Sequence, residues 1–209
     1  MTVRRSQIRA SACRKLVEDS ATEELTYDTV GMSLPGNAVP DGYSVHEISD
    51  VIGTGEQAYR NAGYHLMHWQ IHTWAKLYVQ AAFEAVRIGE DFAVAHSIGP
   101  LAVCAPARVV EVIAEPRRSG FSAGTLPNHP EIGEETLLLT HLDDDRVQFT
   151  VRAVARPASL GVKLAFPVAR SVQRTVGKRL VEAARTAATV PVPVAWTPTS
   201  VSGLPPSGR

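Results

Sequence analysis

Long apolar runs are missing from this 209-residue chain, and so is any excess of charge, since 21 Lys and Arg balance 21 Asp and Glu. No stretch reaches the roughly 20 apolar residues that a membrane-crossing helix needs. A net charge of zero removes the global attraction that draws basic chains to nucleic acid or acidic lipid. Neither nucleic acid nor a membrane is therefore expected as a partner. Cysteine is nearly absent: Cys13 and Cys104 stand far apart and form no C-x-x-C pair. That usage fits a reducing compartment and argues against a disulfide scaffold or a zinc module. The opening VRRSQIR resembles a twin-arginine signal only superficially, because no apolar core follows between residues 10 and 24. The chain thus reads as cytoplasmic. No internal repeat is visible, and no G-x-S-x-G elbow exists to support a Ser–His–Asp hydrolase.

What is present is ordinary globular material, with 44% hydrophobic and 20% charged residues, enough for one domain with a real core. Residues 4–18 read as a short basic helix with Ile8, Ala12 and Leu16 on one stripe, its arginines forming a solvated face. LTYDTVGMSL (25–34) reads as an early strand or extended arm, and PGNAVPDG (35–42) as a turn-rich loop. YSVHEISDVIG (43–53) is a strand leading to a helix. Thr54 and Gln57 have the spacing of a capping box, and Tyr59, Ala62, Leu66, Trp69 and Thr73 recur at helical spacing to about residue 73. Short extended runs follow: KLYVQAAF, DFAVAHS, LAVC, RVVEVIAE, GFSAGTL, ETLLLTH and RVQFTVRAVA. Turn-like separators without helices between them mean an antiparallel meander. Past Pro157 the helical period returns, with Pro167 in a first-turn position. Val168, Val172, Val176, Leu180 and Ala184 form its apolar stripe, to about residue 188. The Pro-, Ser- and Gly-rich tail (189–209) reads as extended or disordered.

Strand, helix, meander and long terminal helix assemble into an α+β helix-grip fold (START/SRPBCC-like). In it a curved antiparallel sheet wraps a long C-terminal helix and leaves an internal apolar cavity. The expected division is a helical arm (1–24), a helix-grip domain (25–188) and the tail.

Three constellations bear on chemistry. VIGTGEQA (51–58) matches G-x-G-x-x-A between a strand and a helix, but the meander after it is not the strand–helix alternation of a dinucleotide fold. Gly53 and Gly55 read instead as a tight strand-to-helix turn. His65, His68 and His72 share a helix face, yet no carboxylate has H-E-x-x-H spacing, so they border the core and no metal is assigned. The densest stretch is GFSAGTLPNHPEIGEETLLL (120–139), a polar excursion between strands. Its His129 precedes Glu131, Glu134 and Glu135, and a histidine beside a carboxylate can move protons. The plainer alternative is a structural turn whose glutamates cap backbone amides or pair with Arg117 and Arg118.

GFSAGTLPNHPEIGEE, preceded by RVVEV and followed by a strand and A-x-RP, resembles a bacterial and plant family known as domain of unknown function 1990. LTYDTVG, GTGE at 53–56, the helix carrying Trp69 and His72, and PVARSVQ (167–173) add to the likeness, which spans residues 20–188. The family pattern has Tyr where this chain has Ala123, which implies a remade pocket. The resemblance implies boundaries and a common 120–135 feature, and little chemistry.

The expected function is binding of a small hydrophobic molecule, polyketide- or lipid-like, in the cavity. Cofactor-independent chemistry of cyclase, isomerase or dehydratase type would follow. His129 or His72 is the expected acid/base, Glu134 or Glu135 the orienting carboxylate, and Tyr27 a hydroxyl donor. Trp69, Phe121, Ala123, Thr125, Val172 and Val176 are the expected pocket wall. The alternatives are a non-catalytic carrier or sensor, and an interaction module using the basic helix and the acidic turn at 143–145.

Overall fold

Alternation along the strands sorts side chains onto two faces of one sheet, and both faces find cover. The computed structural model describes residues 2–98, 101–159, 166–193 and 196. Seven strands run β1 (Ser44–Thr54), β2 (Tyr78–Gln80), β3 (Asp91–Ile98), β4 (Leu101–Ala114), β5 (Arg118–Thr125), β6 (Glu131–His141) and β7 (Arg146–Pro157). Their order in the sheet is β1-β7-β6-β5-β4-β3-β2, with every neighbouring pair antiparallel. The helices are α1 (Thr2–Ser20), α2 (Glu56–Met67), α3 (Gln70–Trp74) and α4 (Phe166–Thr189). A curved antiparallel sheet with a C-terminal helix laid on it is the arrangement a helix-grip fold requires.

The inner face carries Phe92, Val109, Phe121, Leu137, Leu139, Phe149 and Val151 into one core with α2, α3 and α4. Leu180 and Ala184 of the expected α4 stripe are buried in it, and Val176 packs at its edge. Gly177 lies so close to Ile48 that any side chain there would collide with it, which lets α4 approach β1. On the outer face Tyr27, Met32 and Val154 form a second cluster under the arm, while α1 covers β3 and β4.

Several expectations are corrected. LAVC and RVVEVIAE are one 14-residue strand passing through Pro106, because proline's fixed φ tolerates extended backbone and only its donor is lost. The helix expected to reach residue 73 stops at Met67, and Trp69 takes a left-handed φ of 62° before α3 begins. Its indole is buried beside Phe92 and Phe121 at 4.8 and 5.4 Å between ring centres, and this packing prevails over helical continuity. The capping box is absent: Thr54 ends β1, Gly55 (φ 90°) is the cap without a side-chain bond, and the Gln57 amide donates to Asn61. Of the two glycines expected at the strand-to-helix turn, Gly55 forms it, whereas Gly53 is still in β1, paired with Val147 after a register shift. Residues 25–34 form an arm of turns rather than a strand, joined to the sheet where Thr26 N–H donates to the Thr125 carbonyl at 3.0 Å. The polar excursion at 120–139 is largely β5 and β6, and only residues 126–130 turn.

The cysteines require the largest correction. Cys13 and Cys104 form a disulfide across 91 residues of sequence, with Cα atoms 5.8 Å apart. Their separation in the chain hides their proximity. The small side chains of Ala93 and Ala95 let α1 lie close on the outer face, bringing Cys13 over β4. A formed disulfide belongs to an oxidising setting, so the expectation of a reducing, cytoplasmic compartment loses its basis. Among the described residues no helix is long and apolar enough to cross a membrane. The expected disordered tail lies outside the described residues except for 189–193 and 196, and the Pro167 and Val168 side chains also lie outside them.

Candidate functional site

Between the inner face of the sheet and α4 lies a pocket of about 400 Å³. Its size follows from small residues in the strands. Strand pairing aligns His46, Ala153, Glu135, Ala123 and Val109 in one rung across β1, β7, β6, β5 and β4. Neighbouring strands stand roughly 4.8 Å apart, so alanines flank Glu135 on both sides and leave its carboxyl room. Gly133 and Ala155 continue the gap one step along, and Ala105 and Ala107 repeat it on β4. From α4, Val172, Val176, Gly177 and Leu180 complete the wall.

Glu135 is the charged group of this rung. Its exposed surface opens on the pocket, and the protein around it withdraws bulk water. Burial therefore pushes its carboxyl up to about 7, and the neighbouring Glu131 carboxyl pushes the same way. Glu131, four residues earlier on the same face, is itself raised by burial. It is held by the Gln173 amide, which donates to both its oxygens at 2.7 and 2.8 Å and ties β6 to α4.

Glu134 points the other way. Its carboxylate, on the outer face, accepts from the Tyr27 hydroxyl at 2.7 Å, Gly31 N–H at 2.8 Å, Ser33 N–H at 3.1 Å and the Ser33 hydroxyl. Every one of these donors belongs to the arm. Tyr27 is thereby committed too, its phenol held well above the usual range by burial and by Glu134. The structure thus separates the two glutamates: Glu135 faces the pocket, while Glu134 and Tyr27 fasten the arm. Neither pairs with Arg117 or Arg118, which meet Asp143 and Glu115 instead.

His129 and His72 both line the pocket. At His129 the ring Nδ1 lies 2.9 Å from both the N–H and the carbonyl oxygen of Glu131, so the backbone at the start of β6 holds the ring in place. No carboxylate is hydrogen-bonded to this ring among the described residues. Burial pulls His129 down to about 4. His72 is likewise pulled to about 4 by burial and lies between Trp69 and Phe121. Both rings are neutral at pH 7. His65 and His68 are engaged elsewhere, with Gln70 and the Val190 carbonyl, and with the Tyr64 carbonyl, respectively. Of the expected wall, Phe121, Ala123, Thr125, Val172 and Val176 line the pocket, whereas Trp69 stands behind His72.

Sequence reasoning missed His46, His96, Glu131 as a pocket group, and Gln173. The alternation His46–Ile48 on β1 and Phe92–Val94–His96 on β3 was the available signal, because each histidine shares its face with apolar residues. The i, i+4 spacing of Glu131 and Glu135 on one strand was another.

The model of the family described as "Domain of unknown function (DUF1990)" matches residues 26–183. The chain belongs to this family. No curated protein matches it in sequence. Among solved structures it is similar to hypothetical protein jhp0584 from Helicobacter pylori, with a TM-score of 0.54 at 14% identity, covering 77% of this chain and 95% of that one. It is also similar to TTHA0849 from Thermus thermophilus, with a TM-score of 0.53 at 9% identity, covering 69% and 97%. These likenesses show the fold that this DUF1990 member shares, and nothing of its chemistry.

Proposed function

We propose that this DUF1990 protein binds a small hydrophobic molecule, polyketide- or lipid-like, in the pocket under α4. On this reading it acts on the molecule as a cofactor-independent enzyme of cyclase, isomerase or dehydratase type. The observation that carries the reading is a pocket-facing carboxyl at about 7, flanked by alanines on both neighbouring strands and with Glu131 four residues before it on the same face. Near neutral pH such a group is present in both forms. The carboxylate takes a proton from an acidic C–H or O–H of the bound molecule, and the resulting carboxyl returns it to another atom. The pocket wall holds a flexible substrate in the reactive shape.

The roles therefore shift from those expected of the sequence. Glu135 is the proposed acid/base, Glu131 raises its basicity through charge, and neutral His129 is a hydrogen-bonding group of the pocket wall. The test is mass spectrometry of an extract of the source cells incubated with wild type or Glu135→Gln. The reading expects features consumed by wild type to be spared by Glu135→Gln, with a rate loss of about 10²–10⁴. Binding of the neutral fluorophore N-phenyl-1-naphthylamine should stay within threefold. Equal turnover by both proteins would remove the acid/base role.

One observation favours a carrier or sensor. The histidine–carboxylate pair that proton transfer often uses is not formed, since His129 is held by a backbone amide. Fluorophore binding without any consumed feature would select that reading. The interaction-module alternative has less support, because Asp143, Asp144 and Asp145 are each paired locally, with Arg117, Arg146 and His141.

A further inference from the structure

His72 sits where the chain breaks a helix. Trp69 adopts a left-handed backbone between α2 and α3, a conformation that a bulky residue keeps only when its surroundings enforce it. The break lets the indole enter the core and leaves His72 in the pocket wall beside it. His72 is only 4% exposed, and its Nδ1 is buried with no hydrogen-bond partner among the described residues. Buried polar atoms in folded proteins are nearly always satisfied, by protein, water or ligand. The ring packs edge-on to Trp69 at 5.4 Å and stacks over Phe121 at 6.0 Å, with Phe92 beyond, and the Trp69 indole Nε1 is likewise buried with no hydrogen-bond partner among the described residues.

We propose that His72 is the pocket's ligand-anchoring hydrogen-bond group, and that it selects an uncharged molecule with a hydroxyl or carbonyl on an aromatic or similarly flat apolar body. This names the substrate class of the site proposed above and rests on that reading. A neutral imidazole has one donor and one acceptor, so a hydroxyl satisfies it whichever nitrogen carries the proton. A carboxylate would have to be buried in an aromatic floor without a countercharge, which is strongly disfavoured. The three surrounding rings present flat faces and edges that suit a planar partner. His72 thus fixes the orientation of the ligand, while Glu135, on the β6 rung, meets a different part of it.

The test compares 1-naphthol with naphthalene, which differ by one hydroxyl, in fluorescence titrations. The site should bind naphthol at least tenfold more tightly in wild type. In His72→Phe that preference should fall to about one, with naphthalene affinity within threefold. A ratio near one in wild type, or a preference that survives in His72→Phe, overturns the anchor while leaving the pocket reading intact. Binding of neither probe overturns both. Long-range ¹H–¹⁵N spectra of wild-type histidines keep the test open if His72→Phe does not fold. Naphthol, and not naphthalene, should shift the His72 ring nitrogens; an unchanged ring overturns the proposal.

Discussion

Removing the Glu134 carboxylate should detach the arm from the sheet. In Glu134→Ala, the Gly31 and Ser33 amides and the Tyr27 hydroxyl lose their acceptor while still buried. Each such orphan costs about 1–3 kcal/mol. The three are coupled, and water entering the vacated space recovers part of the loss, so a net of about 3–5 kcal/mol is expected. Set against a total stability of roughly 5–15 kcal/mol, that is a large fraction. At an m-value near 2 kcal/mol/M, the urea midpoint moves down by about 1.5–2.5 M. Glu134→Gln should be milder, since the amide oxygen still accepts while its NH₂ confronts donors. Hydrogen exchange gives the location: residues 27–33 should lose protection well before β4–β7. Midpoints within 0.3 M of wild type for both variants would refute the anchoring role.

Two further predictions concern the cysteines and pH. Cys104→Ala removes a cross-link across 91 residues, and loop-closure entropy puts the loss at about 4–5 kcal/mol; unfolded, unreduced wild type should show no free thiol, and two thiols per chain would contradict the pairing. For Glu135, the folded carboxyl at about 7 lies above its ordinary value of 4.5, so the folded state holds the extra proton and stability falls as pH rises across that window. His72 and His129, lowered from 6.5 to about 4, act oppositely, and stability falls as pH drops through their window. With two histidines set against one glutamate, melting temperatures of wild type should fall on acidification below about 6.5. In Glu135→Gln, which lacks the opposing group, they should fall more steeply, and a profile parallel to wild type would contradict the assignment.

The meander and terminal helix were legible because their signals are local. Period-two runs such as RVQFTVRAVA and the 172–176–180–184 stripe depend on neighbours only a few positions apart. What stayed hidden depends on partners distant in sequence. Alternation shows that Glu134 and Glu135 face opposite ways, but only the arm's donors at 27–33 reveal which face is inner. Nothing near Trp69 encodes a break; the aromatic slot made by Phe92 and Phe121 does. Cys13 and Cys104 looked independent because α1 meets β4 only after the sheet has formed. Ala123 was read as opened space from the family resemblance, and the rung beside Glu135 gives that reading a geometry.

The account depends most directly on the pocket being a ligand site made available by small side chains. Titration of N-phenyl-1-naphthylamine into wild type and Ala123→Tyr tests this, because residue 123 stands beside Glu135 in the rung and a phenol ring there occupies the pocket. The account predicts saturable one-to-one binding to wild type and at least tenfold weaker binding to a folded Ala123→Tyr. Absent binding in wild type, or equal affinity in the two proteins, would contradict it.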